Sequence, residues 1–419
     1  MQSGSLLAGL CVVFAAALAT SAASMTAQEK YALHGFHYAA VEIKPMAPDE
    51  FLLMPWGWTP GDAQALKDIK DCGFNVAGFV APEHVELVRK AGLKCFVDDP
   101  NVSCEMREVN MTDAEVEKRV ARMTAKFREN PAVFGYYLID EPTAGLFANL
   151  ARWATAVRKA HPKAVPYINL LPIGAQGPDS KDYADYLGQY VKVLRPAYIS
   201  YDHYTLADDG SVRPSLYQNL EIVRKVSLAN SIPFWNIVLA NSHFRYAEVT
   251  QGGLNLQVFA TLAYGGRGIS YFTYFAPLIG NYRNAAVDQF LHKTPTWDML
   301  RFINLQLHQL LPTYTKLRSI NVFHSQDAPE GCLGMDSSKH LAEITGGSFL
   351  IGEFEAPDGT PFVLIVNKDI RSSTSFQAKF KGEGTVMMTN PYTGETIPFG
   401  GENGWLSPGG GVMLSLGKG

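Results

Sequence analysis

The sequence predicts an α/β fold: a (β/α)8 TIM barrel followed by a small antiparallel β-sandwich domain. Three observations predict it. Short apolar runs alternate with amphipathic stretches through most of the chain, the pattern of successive βαβ units and a parallel sheet. Eight such units fill residues 33–310, in keeping with barrels of ~250 residues or more. Beyond Lys316 the pattern changes to short alternating segments between Gly- and Asp-rich turns, such as Pro357-Asp358-Gly359 and Gly382-Glu383-Gly384, which reads as antiparallel β-structure.

The elements follow in order. The first strand is expected over 33–43 with its helix over 62–71, and the second over 75–79 with 82–90. The third runs over 94–97 with a long helix over 112–129, and the fourth over 133–139 with 147–160. The fifth spans 166–170 with 182–194, and the sixth 197–201 with 215–229. The seventh spans 233–239 with 254–264, and the eighth 268–274 with 296–310. Gly73, Gly92 and Gly265 lie where a left-handed residue would end a helix, and Pro60 and Pro82 stand at helix starts. Strands of the β-domain are expected over 349–353, 362–367, 375–380, 385–389 and 412–416. A doubly wound open sheet is the alternative, but no GxGxxG turn follows the first strand to support it.

With 419 residues and 47% hydrophobic content, the chain can bury a large core and exceeds what one ordinary domain holds. The expected division is a leader over 1–24, a barrel over 25–317 and the β-domain over 318–419. The leader carries no charged side chain. Its apolar run, 6–18, is shorter than the ~20 residues of a membrane-spanning helix, and small residues follow over 19–24. This reads as a signal peptide and predicts a secreted protein with no membrane attachment after cleavage. An uncleaved anchor is the alternative. Cleavage would leave Cys72, Cys95, Cys104 and Cys332, which allow three disulfide pairings. No CxxC pair or dense Cys/His cluster suggests zinc, and no metal or cofactor is expected. The formal net charge of -4 lacks the basic excess of a nucleic-acid binder.

In barrels of this kind the site lies at the C-terminal strand ends. The first strand brings His34, His37 and Tyr38, and the loop after it carries Met54-Pro55-Trp56-Gly57-Trp58. The third ends in Asp98-Asp99 and the fourth in Asp140-Glu141-Pro142. Asn169 closes the fifth. Tyr201-Asp202-His203-Tyr204 closes the sixth, and Asn241-Ser242-His243 the seventh. Tyr271 and Tyr274 belong to the eighth. The set is rich in carboxylates and aromatics, with no phosphate loop. Glycosidic hydrolysis needs two carboxyl groups, one to protonate the leaving oxygen and one to attack or activate water. Aromatic faces suit the C–H faces of sugar rings, and Asn, His and Asp suit their hydroxyls. The partner expected is therefore a carbohydrate substrate.

Ile139-Asp140-Glu141-Pro142 puts an acid where an apolar strand stops abruptly, and Pro142 ends the strand. Here the chain resembles the clan of retaining glycoside hydrolases on (β/α)8 barrels, which carry an Asn-Glu pair, often followed by Pro, at the end of strand 4. It is also similar to glycosyl hydrolases of bacterial polysaccharide-degrading systems, through this motif, through 262–269 leading into 271–275, and through the C-terminal β-domain. The resemblance implies that Glu141 is the general acid/base. It also implies a nucleophilic Glu at the end of strand 7, and that position holds none. Glu248 lies in the following loop. Asp202 is the better-placed second carboxylate, with the two roles open to exchange. His37, Tyr38, Trp56, Trp58, Asp140, Asn169, His203, Tyr204, Asn241, His243, Tyr271 and Tyr274 are the expected substrate contacts. Two other functions stay open: a barrel that binds sugar without cleaving it, and a polysaccharide lyase with a Tyr or His base.

Overall fold

The computed structural model describes residues 46–99 and 107–417. The expected leader, the expected strand over 33–43 with His34, His37 and Tyr38, and Cys104 lie outside the described residues. The stretch read as a loop around Met54 and Pro55 contains a strand, β1 (Leu52–Pro55), buried along its whole length. A continuous apolar run is what a strand covered on both faces looks like, and the Pro and Trp residues beside it disguised this one.

Seven more strands alternate with eight helices: α1 (Ala63–Asp71), β2 (Val76–Val80), α2 (Val85–Ala91), β3 (Lys94–Val97), α3 (Asp113–Thr124), β4 (Val133–Asp140), α4 (Phe147–Ala160), β5 (Val165–Asn169), α5 (Tyr183–Leu194), β6 (Ile199–Asp202), α6 (Ser215–Asn230), β7 (Phe234–Leu239), α7 (Gln251–Ala263), β8 (Gly268–Phe272) and α8 (Pro295–Tyr314). Local chemistry sets the helix starts. Asp62, Asp182 and Thr250 each accept a hydrogen bond from a backbone amide in the first turn, and Thr112 forms a reciprocal capping box with Glu115. Gly92 closes α2 at φ 72°, where a left-handed residue is required.

All eight strands pair in parallel, in two four-stranded sheets ordered β1-β8-β7-β6 and β2-β3-β4-β5. Isolated parallel bridges join Trp58 to Phe79 and Leu170 to Tyr201, which sets β1 beside β2 and β5 beside β6. An inner apolar cluster draws Leu52, Met54, Val76, Phe79, Phe96, Tyr167, Tyr198 and Trp235 from both sheets. Tyr198 and Trp235 stack with centroids 3.8 Å apart. Gly268 leaves room for these rings, because a Cβ there would lie 2.5 Å from Trp235. A larger outer cluster packs the strands against the helices, with Trp153 of α4 and Leu300, Ile303 and Leu307 of α8 fully buried. Cys72 and Cys95 are buried and Cys332 half-buried, all three as free thiols, so the disulfide pairings left open by the sequence find no counterpart among the described cysteines. Among the described residues no helix is long and apolar enough to cross a membrane.

The rest of the chain is antiparallel. β9 (Arg318–His324), β11 (Phe349–Glu355), β12 (Pro361–Asn367), β14 (Thr385–Thr389), β15 (Thr396–Pro398) and β17 (Gly411–Gly417) form one sheet, ordered β15-β14-β17-β12-β11-β9. β10 (Leu341–Gly346), β13 (Thr374–Phe380) and β16 (Trp405–Leu406) form another. Alternate side chains of the larger sheet serve two cores. Ile351, Val363, Ile365 and Leu414 pack toward the smaller sheet's Phe376 and Phe380. Leu350, Leu364, Val366 and Met413 join the large cluster of the helices. β11 lies so close to α7 that a Cβ at Gly352 would be 2.3 Å from the Ala263 carbonyl oxygen.

Candidate functional site

The end of β4 is irregular, and the irregularity aims its acids. Against β5, Tyr137 pairs with Tyr167, Ile139 with Ile168 and Asp140 with Asn169, so Leu138 and Ile139 together oppose one residue. Such a bulge shifts the alternation by one. Tyr136 faces outward, its hydroxyl 2.9 Å from His161 Nδ1, while Tyr137 faces the inner cluster and packs on Phe79. Strict alternation would send Asp140 outward with Tyr136 and Leu138. The bulge turns it to the same side as Tyr137. Glu141 then adopts φ 49°, a strained conformation for a residue with a side chain. Its amide donates to the Asn169 carbonyl at 3.0 Å, and its side chain is exposed. The Tyr186 hydroxyl donates to the Pro142 carbonyl at 2.6 Å and holds the exit.

β5 and β6 keep their alternation, which brings Tyr167 and Asn169 together with Tyr198, Ser200 and Asp202. Asn169, 1% exposed, donates through Nδ2 to Asp140 Oδ1 at 3.0 Å and to Asp202 Oδ1 at 2.8 Å. Ser200 Oγ donates to Asn169 Oδ1 at 3.3 Å. The Tyr167 hydroxyl lies 2.9 Å from Ser200 Oγ and accepts from Trp56 Nε1 at 3.1 Å. One hydrogen-bonded chain thus links the ends of β1, β4, β5 and β6. Burial pushes the Asp140 carboxyl up to about 6, against the hydrogen bond from Asn169. Burial and then the charge of Glu141 push Asp202 up to about 8. Asp140 and Asp202 share the Asn169 amide, and burial favours the protonated form of each. The Arg107 guanidinium donates to the Asp140 carbonyl oxygen at 3.3 Å.

Aromatic rings wall the acids. Tyr204 stacks on Phe272 with centroids 5.5 Å apart and meets Tyr246 edge-on at 5.6 Å. Trp56, half-buried, packs against Phe272 and Phe79, and Trp58 is 58% exposed at the rim. Buried His243 stacks on Tyr282 at 4.7 Å and contacts Phe272. Asn241 is fully buried, and neither of its side-chain polar atoms has a partner among the described residues.

Several expected contacts are corrected. Tyr271 and Tyr274 belong to the outer core: the Tyr271 hydroxyl donates to Asn304 Oδ1 at 2.9 Å, and the Tyr274 hydroxyl accepts from Trp297 Nε1 at 2.9 Å. Alternation along β8 explains Tyr271, because its neighbour Phe272 takes the inner side. His203 turns from the acids to Ser215, with Nε2 3.0 Å from its hydroxyl, and burial lowers its pKa to about 4. His37 and Tyr38 lie outside the described residues. Glu248 is bound by Ser242 Oγ at 2.9 Å, by Arg283 and by Asn284 Nδ2 at 2.5 Å, so it braces the loop after β7. Phe272, Tyr246 and Ser200 were missed. The period of two through Gly268, Ser270 and Phe272 was the signal for the first.

A cavity of about 940 Å³, lined by Lys94, Phe134, Tyr198 and Arg267 among others, lies at the opposite ends of the strands and touches none of these acids. Among the described residues no group of three His, Cys, Asp or Glu side chains is arranged to hold a metal ion.

No protein-family model and no curated protein matches the chain. Solved structures do. A beta-galactosidase from Bacillus circulans sp. alkalophilus superposes with a TM-score of 0.62 at 8% identity, over 90% of this chain and 100% of that one. A glycoside hydrolase family 5 protein from Bacteroides vulgatus superposes at 0.55 with 12% identity, over 87% and 89%. The fold is one that glycoside hydrolases adopt. A beta-galactosidase from the psychrophilic Marinomonas ef1 matches at 0.50 with 9% identity, over 65% of this chain, which spans 63% of that longer enzyme. At these identities the likeness is one of fold.

Proposed function

We propose that the protein is a secreted glycoside hydrolase in which the two parallel sheets close into one (β/α)8 barrel and Glu141 and Asp202 form the acid/base couple. One observation carries the reading: Asn169 holds Asp140 and Asp202 at 3.0 and 2.8 Å beside exposed Glu141, on an aromatic-walled strand mouth. Asp202, pushed up to about 8, carries the resting proton at neutral pH. Glu141 stands where solvent and substrate can reach it. One of the two protonates the departing glycosidic oxygen while the other attacks the anomeric carbon or activates water. Asp140 and Asn169 position the pair. The bridges from Trp58 to Phe79 and from Leu170 to Tyr201 support closure, and the leader expected over 1–24 supports export. Three acids, with Arg107 at the Asp140 carbonyl and Arg213 over the Tyr246 ring, favour a neutral sugar over an acidic one.

The lyase alternative fits less well. Burial raises the pKa of Tyr204 and Tyr246 and lowers those of His203 and His243, so these tyrosines deprotonate with difficulty and these histidines are weak bases. The test is release of reducing ends from a panel of neutral polysaccharides by the wild type, Glu141→Gln and Asp202→Asn. Each substitution should lower kcat by about 10²-fold or more. Unchanged cleavage by Glu141→Gln would remove Glu141 from the mechanism. Binding without cleavage by the wild type would identify a sugar-binding barrel.

A further inference from the structure

Away from the acids, α8, the turn after β14 and the short strand β16 enclose a cleft of about 430 Å³. Three of its lining side chains are large rings left in solvent: Trp405 is 62% exposed, Tyr392 59% and Phe302 46%. Phe302 and Tyr392 lie with centroids 6.3 Å apart. Gln306 stands one turn beyond Phe302 on the same face of α8 and, with Asn403, brings side-chain amides to the lining. Trp405 also lines a second cleft of about 600 Å³, beside Gln377 and Phe399, so this residue is common to both. Glu402 is the one charged residue in the first lining, and the second has none.

Three exposed rings gathered on one cleft form a local apolar patch, the kind of feature that marks a binding site. Sites of this volume, with aromatic walls and a few convergent polar groups, suit small organic ligands. A lipid surface would call for a basic rim, and an acidic ligand for cations. Neither is present. Rings and amides without charge complement a neutral polyhydroxylated ring, apolar on its C–H faces and hydrogen-bonding at its edge. We propose that this cleft is a second carbohydrate site, in which Trp405 and Tyr392 stack on the sugars of a neutral glycan and Gln306 and Asn403 bond their hydroxyls. It would tether the enzyme to a polymer while the barrel acts on another stretch of chain. The proposal rests on the carbohydrate reading of the protein.

Affinity electrophoresis of the full chain carrying Glu141→Gln, in gels containing galactan, xylan, glucomannan or polygalacturonate, tests it. Retardation is expected in at least one neutral gel and not in polygalacturonate. Trp405→Ala and Tyr392→Ala should each weaken it about tenfold or more, and Trp405→Phe should keep most of it. Both rings are largely exposed, so melting temperatures should barely move. Cleavage by the wild type is measured in parallel. Absent cleavage with Trp405-dependent retardation overturns the hydrolase reading and leaves this site standing. No retardation in any neutral gel, or retardation unchanged in both alanine variants, overturns the site. So does self-association abolished by Trp405→Ala, which would make the cleft a contact between copies.

Discussion

Replacing Asp202 with asparagine keeps the shape of the side chain and removes its charge. Asp202 is 9% exposed, and burial together with the charge of Glu141 raises its pKa from 3.8 to about 8. In the unfolded chain the carboxyl returns to about 3.9. Between about pH 4 and pH 8 the folded protein therefore holds a proton here that the unfolded chain has lost, and stability falls as pH rises. Four units at about 1.4 kcal/mol each set a ceiling of roughly 5–6 kcal/mol on that loss. The asparagine has nothing to titrate, and its amide oxygen can still accept from Asn169 Nδ2. Urea unfolding followed by circular dichroism at pH 5, 6, 7 and 8 measures the difference. The wild type should lose several kcal/mol across this range. Asp202→Asn should lose at least about 2 kcal/mol less and be the more stable protein at pH 8. Parallel curves, or a variant less stable at pH 8, would refute the reasoning and put the carboxyl proton elsewhere.

Asn169→Ala removes the donor that lowers the pKa of both Asp140 and Asp202. Its stability should drop by ~1.5–3 kcal/mol, and any limb of the pH–activity profile set by these acids should move to higher pH, read from kcat/KM. Glu248→Gln weakens the brace with Arg283. Cleavage should stay within about threefold while Tm falls by ~2–4 °C, and a hundredfold loss of kcat would instead make Glu248 the missing nucleophile. Tyr271→Phe leaves the buried Asn304 oxygen without its donor. It should lose ~1–3 kcal/mol in urea titrations with kcat and KM unchanged; a raised KM would return Tyr271 to the site.

Much of the fold was legible because the signals are local. β3 (Lys94–Val97), α4 (Phe147–Ala160) and β14 (Thr385–Thr389) run over the expected residues. The helices expected from 62 and 112 do start there, and Asp62 and Thr112 cap them with bonds to amides three residues on, which need no distant partner. β1 was misread, because the Pro and Trp residues beside its short apolar run made it read as a loop. β9, β10 and β16 were missed, because partners well removed along the chain supply their pairing; β15 pairs in a local hairpin with β14 but is only three residues long. In the site, Asn169 and Asp202 were named from their places at the ends of the fifth and sixth strands, and the hydrogen bond between them came only with the fold. Tyr271 was placed wrongly by disregarding the period of two in β8.

The order of elements, the alternating faces of regular strands and the gathering of acids and rings at strand ends are properties of the chain, because backbone geometry and side-chain polarity act within a few residues. The pairing of Asp140 with Asp202 is not. It needs the bulge at Leu138 and Ile139 to reverse one face of β4, and it needs Asn169 from a neighbouring strand to stand between the acids. Their raised pKa follows first from burial, which is a property of packing. The same holds for Glu248: its sequence position offered a nucleophile, and Arg283, Ser242 and Asn284, brought to it by the fold, engage it in the loop.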